Sequence, residues 1–361
     1  MKILVVQDYL RSGGTERQSI RLTRAFAAAG HRASLLTFRP GGALTAELAG
    51  LAHASLTRVD FGLDWFAPGL ARAVAAAAPD LVLCMGRMAN CYAGFLQSHF
   101  PRAAVVGTMR TGKPLPFLFR RSLRRVRHVV ANSAAARATL VARHGVSADR
   151  VTVIPNALVH PPDATVAPNP ELRAQLGAAE STLVLLNVAM FRPEKNQAGL
   201  IELCGRLPPD LDWQLWLAGD GPTRSACERL AAGRAFGGRV KLLGLQADPR
   251  PLYRAADLAV LASHSESLSN FLCEAQAHGL PAVAWDVVGV GECFIPGESG
   301  LLVPHRHEEA FLGALQRLAN EPETRRRFAA RARAYATAAF DPARQVQAHL
   351  DLFARLVAPA A

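Results

Sequence analysis

The chain has 361 residues, of which 50% are hydrophobic and 19% are charged, and its formal net charge is +12. This composition excludes a disordered or fibrous protein, and the length predicts two ordinary hydrophobic cores. The charge does not indicate nucleic-acid binding. Its basic residues are arginines except for four lysines, and they are spread through an alanine-rich chain without an RNA- or DNA-binding motif.

The absence of a recognisable targeting signal and the spacing of the cysteines both favour a cytoplasmic protein. The chain opens with a predicted strand instead of a charged and apolar leader, and no stretch approaches the ~18 apolar residues of a membrane span. The six cysteines have no C-x-x-C spacing, so we expect neither a zinc site nor a disulfide framework.

In the first half of the chain, short β-branched runs alternate with helical patterns. Helices are predicted over 15–29, ended by Gly30, and over 133–144, ended by Gly145. The predicted strands are KILVVQ, ASLLTF, LVLCMG, AVVGTM and HVVANS. Alternation of strand and helix predicts a parallel sheet that is covered on both faces.

The turn between the first strand and the first helix contains Gly13 and Gly14. Glycine allows backbone N–H groups to approach a phosphate or a sugar closely. A Gly-Gly pair is also common in ordinary strand-to-helix turns, so the pair alone is a weak indication of a binding loop.

The segment PLPFLFRRSLRRVRH predicts an amphipathic helix. Phe119, Leu123 and Val126 have the spacing i, i+4, i+7, and five arginines fall elsewhere around the helix. The range Phe117–Arg127 is either an ordinary helix with a solvated basic face or a peripheral contact with an anionic membrane surface. The sequence leaves both interpretations open.

The second half of the chain repeats the alternation. Helices are predicted near 197–206, 223–234, 249–256 and 269–278, and the predicted strands are LVLLNVA, QLWLAG, VKLLG, LAVLAS and PAVAW. We therefore predict an α/β protein with two doubly wound, Rossmann-like domains that face a cleft, where ligands bind at the carboxyl ends of the strands. The predicted boundaries are 1–160, a linker at 161–171, 172–340, and a final helix at 341–361 that packs back on the first domain.

Two carboxylates bracket a turn at the end of a strand in the second half. Glu266 precedes the turn, and Glu274 lies about one helical turn inside the helix that follows. The helix N-terminus suits an anionic group, and the carboxylates suit hydroxyls. A nucleotide sugar carries both kinds of group.

Two cations and a glycine turn follow other strands of the same half. Arg192 and Lys195 are held close together by Pro193 after the first strand, where they could neutralise a leaving diphosphate. The turn LAGDGP, which contains Gly219, follows the second strand and could shape a base or ribose pocket.

The ordered motifs FRPEKN, LAGDGP, VKLLG, E-x7-E and GESGLLV, with NSAAARATLVARHGVSADRVTVIPNA before them, resemble the retaining glycosyltransferases of family 4, which have the GT-B fold. The resemblance implies that Glu274 binds the donor ribose and that Glu266 contacts the transferred sugar and takes part in catalysis. It also implies that Arg192 and Lys195 hold the diphosphate. Further expected donor contacts are Gly13, Gly14, Gly219, Leu245, Ser269, Asn270 and Phe271.

The same resemblance implies a substrate class. We expect a hexose or N-acetylhexosamine to move from a nucleotide diphosphate sugar, UDP-linked in preference to GDP-linked, to a glycan or lipid-linked acceptor in cell-surface polysaccharide biosynthesis. The 1–160 domain is the expected acceptor side and the 172–340 domain the expected nucleotide-sugar side. We expect no metal and no other cofactor.

Two of the departures from the family pattern concern candidate site residues. The usual arginine five residues before the lysine is Met190, and Arg192 is interpreted as taking over its role. The first domain has no clear counterpart of the family histidine that faces the donor sugar, and the candidates for acceptor or sugar contacts are Arg87, Asn90 and Arg110.

The sequence also leaves alternatives to an active, metal-independent transferase. The pair Asp210 and Asp212 resembles a metal-binding Asp-x-Asp, but its expected place is a surface loop at the amino end of a strand. A catalytically silent subunit that partners an active transferase would keep the fold, and a sugar-nucleotide epimerase can share it. Turnover distinguishes these alternatives.

Overall fold

Two all-parallel sheets organise the chain in the computed structural model, which describes residues 1–162, 168–233 and 236–358. The chain divides into two units, one formed by residues 1–159 with the segment from Pro342 onward and the other by residues 160–341. Part of the predicted linker, 163–167, lies outside the described residues. Its last two residues are not linker, because a helix begins at Pro170.

The first unit contains a seven-stranded sheet in the order β3-β2-β1-β4-β5-β6-β7. Its strands are β1 (Lys2–Gln7), β2 (Arg32–Thr37), β3 (His53–Ser55), β4 (Leu81–Cys84), β5 (Ala104–Met109), β6 (His128–Ala131) and β7 (Val151–Val153). The central strands are continuous apolar runs because helices cover both faces of the sheet. These helices are α1 (Gly14–Ala28), α2 (Leu70–Ala77), α3 (Arg87–His99), α4 (Phe117–Leu123) and α5 (Ala134–His144).

Local sequence explains where the helices of the first unit begin and end. The Ser133 side chain accepts a hydrogen bond from the Ala136 N–H at the start of α5, and Gly145 ends this helix in the left-handed conformation with φ +63°. In α4 the predicted apolar stripe of Phe119 and Leu123 is buried, and Val126 beyond it is buried too. The basic side chains of this segment are mostly exposed.

The second unit contains a six-stranded sheet in the order β10-β9-β8-β11-β12-β13. Its strands are β8 (Leu183–Val188), β9 (Trp213–Ala218), β10 (Val240–Gly244), β11 (Leu258–Leu261), β12 (Ala282–Asp286) and β13 (Gly300–Pro304). The helices are α6 (Pro170–Gln175), α7 (Gln197–Gly205), α8 (Arg224–Ala231), α9 (Arg250–Ala255), α10 (Asn270–Ala277), α11 (Glu308–Asn320) and α12 (Pro322–Ala339). The sequence identified neither β13 nor the three-residue strands β3 and β7 as strands.

The last helix, α13 (Pro342–Val357), belongs to the first unit and packs against α1. Phe353 and Phe26 meet edge to face with ring centroids 5.5 Å apart. The Gln345 side chain donates to the Pro155 carbonyl at 2.9 Å, so a polar contact also fixes the helix to the end of the β7 segment. Among the described residues, no helix is both long and apolar enough to cross a membrane.

Candidate active site

The candidate residues of the second unit collect at the switch point of its sheet. Strands β8 and β11 are neighbours, but the chain leaves β8 towards one edge and β11 towards the other, so the loops after them diverge and leave a crevice at their carboxyl ends. Two hydrogen bonds join these loops, from the His264 N–H to the Glu194 carbonyl at 2.8 Å and from the Asn196 side chain to the Ala262 carbonyl at 3.1 Å.

Lys195 and Glu266 meet at this switch point. The Lys195 Nζ atom lies 2.6 Å from Glu266 Oε1. The Glu266 side chain is 7% exposed and that of Lys195 is 24% exposed, so the carboxylate is nearly enclosed while the ammonium group keeps access to solvent. The sequence placed both residues near a ligand, but their contact joins positions 71 residues apart and was not predicted.

Glu274 is held by a residue that the sequence analysis missed. The Tyr253 hydroxyl in α9 donates a hydrogen bond to Glu274 Oε2 at 3.0 Å, and both side chains are buried. Burial, together with the neighbouring Glu274 carboxylate, raises the pKa of Tyr253 well above its usual value, so the hydroxyl stays protonated and remains a donor. The Tyr253 ring also stacks on Phe271, with centroids 6.3 Å apart.

The first turn of α10 begins beside these carboxylates. Ser269 caps the helix, and its Oγ atom accepts from the Leu272 N–H at 3.4 Å. Asn270 is the first helical residue and is half-buried, whereas Ser269 and Phe271 are buried. The positive end of the helix therefore points to the same region as Glu266 and Lys195, where it favours an anionic group.

Arg192 has a different environment from Lys195. Its side chain is half-buried and makes no hydrogen bond or ion pair with any residue in the described part of the chain. Met190, at the position of the family arginine, uses its carbonyl to accept from the Gln197 side chain at 3.0 Å. A free guanidinium two residues further on is consistent with Arg192 as the anion-binding arginine.

Close backbone packing explains the glycines of the LAGDGP turn. Gly219 has φ +141°, and a Cβ atom there would lie 2.0 Å from the Ala189 carbonyl oxygen. Gly221 has φ +150°, and its Cβ would meet the Phe191 carbonyl oxygen at 2.4 Å. These two positions therefore let the turn lie directly against the loop that carries Arg192. Leu245, which follows β10, is an exposed apolar side chain.

In the first unit, Gly13 and Gly14 lie at the start of α1, which begins one residue earlier than the sequence predicted. Gly13 is the N-cap residue, and a Cβ atom there would lie 2.5 Å from Glu16 Oε2. The glycine thus leaves room for a carboxylate that folds back over the helix N-terminus. An anion that bound these N–H groups would have to displace the Glu16 side chain.

The three acceptor candidates of the first unit differ in accessibility. Arg87 is exposed at the start of α3. Asn90 is buried, and its amide group accepts from the Thr108 N–H at 2.7 Å and donates to the Gly86 carbonyl at 2.8 Å. These bonds fix α3 to the sheet, which argues against a direct contact between Asn90 and an acceptor.

Arg110 follows β5 and is a stronger candidate. Its Nη2 atom donates to Asn156 Oδ1 at 2.6 Å, whereas its buried Nε and Nη1 atoms have no partner among the described residues. Burial lowers the pKa of Arg110 to about 10, which still leaves it charged at neutral pH. A buried cation with unused donors is a site at which an anionic group is stabilised.

Asp8 is a further acidic residue that the sequence analysis did not single out. It follows β1, and its carboxylate accepts from the N–H groups of Met88 and Ala89 at the start of α3, at 2.9 and 2.6 Å. Burial raises the pKa of Asp8 to about 6 despite these hydrogen bonds. Gly86 is needed here because a Cβ atom would lie 2.3 Å from the Asp8 carboxylate.

The structure places the Asp210 and Asp212 pair on the surface and most of the cysteines in the core. Asp210 and Asp212 are exposed ahead of β9, at the amino end of that strand, and Asp212 accepts a hydrogen bond from the Thr182 hydroxyl. The described ranges contain no group of three or more His, Cys, Asp or Glu side chains placed to hold a metal ion. All six cysteines are free thiols, and five are buried.

Two family models match the two units separately. The model described as glycosyl transferases group 1 matches residues 168–335, and the model described as glycosyltransferase family 4 matches residues 12–159. The motif order, the two Rossmann-like sheets and these two matches agree. The chain belongs to the glycosyltransferases with the GT-B fold whose two halves these models describe.

Similar curated proteins come from several bacteria. The lipopolysaccharide core biosynthesis glycosyltransferase LpsE of Rhizobium meliloti (strain 1021) is 32% identical over 182 residues, which is 50% of this chain and 53% of that protein. The D-inositol 3-phosphate glycosyltransferase of Rhodococcus jostii (strain RHA1) is 33% identical over 209 residues, or 54% and 45% of the two chains. The chain spans about half the length of these relatives.

Solved structures share the fold over nearly the whole chain. The Anabaena protein Alr3699/HepE, solved in complex with UDP-glucose, superposes with a TM-score of 0.85 at 23% identity and covers 98% of this chain and 100% of its own. TarM of S. aureus, solved with UDP and other ligands, has a TM-score of 0.79 at 11% identity, with 98% and 100% coverage. These likenesses establish the GT-B architecture.

Proposed function

We propose that the chain is a retaining, metal-independent glycosyltransferase that transfers a hexose or N-acetylhexosamine from a nucleotide diphosphate sugar to a glycan or lipid-linked acceptor in cell-surface polysaccharide biosynthesis. The observations that support this best are the Lys195–Glu266 ion pair between the loops after β8 and β11 and the Tyr253–Glu274 hydrogen bond to α10, the helix that follows β11. Together they supply a cation, a helix N-terminus and two buried carboxylates on the segments that follow β8 and β11.

The charges of these residues suit both products that form when the donor bond is cleaved. Cleavage of the anomeric C–O bond leaves a nucleoside diphosphate that gains negative charge and a sugar with oxocarbenium character. Lys195, Arg192 and the first turn of α10 would stabilise the diphosphate. Glu266 would lie beside the sugar, where negative charge favours the oxocarbenium ion. The acceptor hydroxyl would enter on the face of the leaving group, with the departing phosphate oxygen as its base, and the product would retain the anomeric configuration.

The nucleoside would bind through Glu274. Its carboxylate is oriented by the Tyr253 hydroxyl, and a carboxylate is a bidentate acceptor for the two ribose hydroxyls. UDP is favoured as the donor nucleotide because HepE was solved with UDP-glucose and TarM with UDP, two proteins of the same fold. Ser269, Asn270 and Phe271 would contribute the remaining donor contacts.

Several buried polar atoms near the switch point support a polar ligand there. Asn187 Oδ1, Ser263 Oγ and Ser265 Oγ have no hydrogen-bond partner among the described residues. Buried polar atoms in native proteins are nearly always satisfied by protein, by ordered water or by a ligand. Asn187 lies near the carboxyl end of β8, and Ser263 and Ser265 follow β11, where a nucleotide sugar would bind.

We also propose that the basic segment Phe117–Arg127 holds the protein at the cytoplasmic face of the inner membrane. Arg121, Arg124, Arg125 and Arg127 are exposed on and after α4, and clustered arginines contribute about 1 kcal/mol each near an anionic surface. Arg121→Glu with Arg125→Glu should weaken binding to vesicles that contain phosphatidylglycerol. Equal binding of the double variant and the wild type would contradict this contact.

The donor proposal is tested by calorimetric titration of UDP, GDP, ADP and dTDP without added metal, on the wild type and on Glu274→Gln. Preferential binding of UDP that is weakened in the variant supports the donor site. The next assay supplies the matching UDP sugars with a polyprenyl-linked acceptor and determines the anomeric configuration of the product by NMR. An inverted product would contradict the retaining mechanism.

The same experiment separates the alternatives. A chain that binds none of the nucleotides and shows no turnover is better described as a silent subunit, which Met190 in place of the family arginine would favour. A chain that converts the nucleotide sugar into its isomer without any acceptor is an epimerase.

A further inference from the structure

A loop of the first unit exposes four large apolar side chains in strict alternation. Val59, Phe61, Leu63 and Trp65 are 62%, 57%, 40% and 57% exposed. Seven of the nine large apolar side chains that are exposed in the described part of the chain lie in this unit, four of them in this loop. We call the segment from Arg58 to Phe66 the apolar loop. Such a concentration of exposed apolar side chains is unusual for a surface that faces only water.

Ion pairs hold the apolar loop by the residues between the exposed ones. Arg39 donates to both oxygens of Asp60, from Nε at 2.6 Å and from Nη2 at 2.8 Å, and its Nη1 atom donates to Asp64 Oδ1 at 2.6 Å. Arg11 also donates to Asp64. The Arg39 guanidinium stacks on the Tyr9 ring, 3.9 Å from its centroid. These contacts fix the backbone of the loop, so its apolar side chains are presented outward instead of collapsing onto the core.

The anchoring also removes an electrostatic obstacle. Asp60 and Asp64 are the acidic residues of the apolar loop, and free carboxylates there would be repelled by an anionic surface. Both are paired with arginines, and the Arg39 hydrogen bonds lower the pKa of Asp60 to about 2, so the pairing is maintained at neutral pH. The loop therefore presents its apolar face with its negative charge already compensated.

Helix α3 joins the apolar loop to the basic segment. The Tyr92 hydroxyl of α3 donates to the Trp65 carbonyl at 2.7 Å. Two residues further along, the Gly94 N–H donates to the Ser122 hydroxyl of α4 at 2.5 Å. At the start of α4, Phe117 and Leu118 are 63% and 60% exposed. Helix α3 thus contacts both the apolar loop and α4, whose first residues are apolar and exposed and are followed in the chain by the arginines of the basic segment.

We propose that the apolar loop inserts into the interfacial region of an anionic bilayer, with Phe61 and Trp65 as its anchors. Tryptophan and phenylalanine are side chains that favour the boundary between headgroups and acyl chains. The neighbouring arginines complement anionic headgroups, whereas a second copy of this basic face would repel it. The surface is thus matched to a lipid bilayer better than to another copy of the chain.

Trp65 makes the proposal directly measurable. The chain has four tryptophans, and the other three, Trp213, Trp216 and Trp285, are buried in the second unit. A change of emission on adding vesicles therefore reports on Trp65. The full chain is titrated with vesicles of phosphatidylcholine and phosphatidylglycerol, and in parallel with phosphatidylcholine alone. We expect a blue shift of the emission with the anionic vesicles and quenching when the acyl chains are brominated.

Two double variants at Phe61 and Trp65 distinguish insertion of the apolar loop from electrostatic adhesion to the vesicle surface. Phe61→Ser with Trp65→Ser should weaken partitioning by about tenfold or more, measured by vesicle co-sedimentation, because two large apolar groups are lost. Phe61→Leu with Trp65→Phe keeps the apolar area and should bind nearly as the wild type does. Equal binding of the serine and wild-type proteins, or no blue shift with either vesicle, would overturn the proposal.

This inference does not depend on glycosyl transfer. The serine variant should keep the wild-type affinity for UDP, because all the expected donor contacts, including Gly13 and Gly14, lie outside the apolar loop. Loss of UDP binding together with vesicle binding would indicate a folding defect, which circular dichroism and thermal unfolding of the serine variant detect. If the loop instead pairs two copies, light scattering of the wild type will give a dimer that the serine variant lacks, and the bilayer proposal fails.

Discussion

Lys195 Nζ and Glu266 Oε1 lie 2.6 Å apart and form an ion pair across the switch point of the second sheet. Because Glu266 is almost enclosed, removing Lys195 leaves a buried negative charge without a partner, which is unfavourable. A diphosphate that bound beside Lys195 would share its ammonium group with Glu266. The pair thus couples the charge of the leaving group to the carboxylate proposed to face the sugar.

Replacing Lys195 alone should lower both turnover and stability. When Glu266 is neutralised as well, the loss of stability should be relieved and the loss of turnover should remain. We expect Lys195→Ala to lower kcat by about 10²- to 10³-fold, since one preformed electrostatic contact to the leaving group is lost. It should also lower the melting temperature, because Glu266 is left buried and unpaired. Lys195→Ala with Glu266→Gln should recover the melting temperature but not kcat.

Arg206→Ala is a control for this loss of charge. Arg206 is an exposed cation of the same unit, paired with Glu308 at 2.6 Å on the surface. Its removal should leave kcat close to the wild-type value. A Lys195→Ala enzyme with unchanged kcat would remove Lys195 from the proposed active site.

Tyr253 should contribute to donor binding through Glu274. Tyr253→Phe removes the 3.0 Å hydrogen bond to a buried carboxylate while keeping the ring that stacks on Phe271. We expect UDP affinity to fall by roughly tenfold, the value of one hydrogen bond to a charged group, and to fall further in Glu274→Gln. Calorimetry with UDP measures both.

Tyr92→Phe offers a matched tyrosine control. It also deletes one hydroxyl hydrogen bond, to the Trp65 carbonyl, but in the first unit. UDP affinity should stay at the wild-type value in this variant. Equal losses in Tyr92→Phe and Tyr253→Phe would mean that the effect is general destabilisation and not orientation of Glu274.

The sequence predicted those parts of the fold that depend on local patterns. The runs KILVVQ and AVVGTM are the observed strands β1 and β5, because central parallel strands are continuous apolar segments between turn residues. The run VKLLG is the observed edge strand β10. Three-residue strands such as β3 and β7 are too short to show a period. Their pairing is fixed by neighbouring strands and not by their own sequence.

The sequence predicted only those residues of the candidate site that belong to one local motif. Glu266 and Glu274 stand out because they bracket a strand-to-helix turn. The Tyr253 contact to Glu274 joins two helices across 21 residues, and the Asp60 contact to Arg39 joins two loops, so both depend on tertiary packing that spacing cannot reveal. The burial of Asn90 and its bond to the Thr108 N–H in β5 depend on the same packing, so the sequence alone could not reveal them.

The tight packing of the LAGDGP turn predicts a strong effect of a single methyl group. Gly219→Ala combines an unfavourable φ of +141° with a contact of 2.0 Å to the Ala189 carbonyl oxygen, so we expect a loss of several kcal/mol in unfolding free energy or no folded protein. Gly177→Ala is the matched control, because Gly177 also has a positive φ, +73°, but its Cβ would meet nothing within 4 Å. It should cost only about 1 kcal/mol by urea denaturation. Equal losses in the two variants would show that the turn relaxes away from the loop of Arg192.

Stability should fall in acid because of a buried histidine of α13. His349 is fully buried between Phe26 and Phe353, and burial lowers its pKa to about 4 from the ordinary value of 6.5. Above the ordinary pKa neither the folded nor the unfolded chain is protonated there, so the histidine has no pH-dependent effect. As the pH falls below it, the unfolded chain binds a proton that the folded chain does not, and unfolding becomes more favourable.

Comparison with His349→Leu isolates this effect. The unfolding free energy of the wild type relative to the variant should drop by about 3 kcal/mol between about pH 7 and pH 4, the size that linkage gives for this lowered pKa. The titration of Asp8, whose pKa is raised to about 6, acts in the opposite direction, but it is present in both proteins and cancels in the difference. Urea denaturation across this range measures the difference. A constant difference would mean that α13 opens locally and lets His349 titrate in the folded protein.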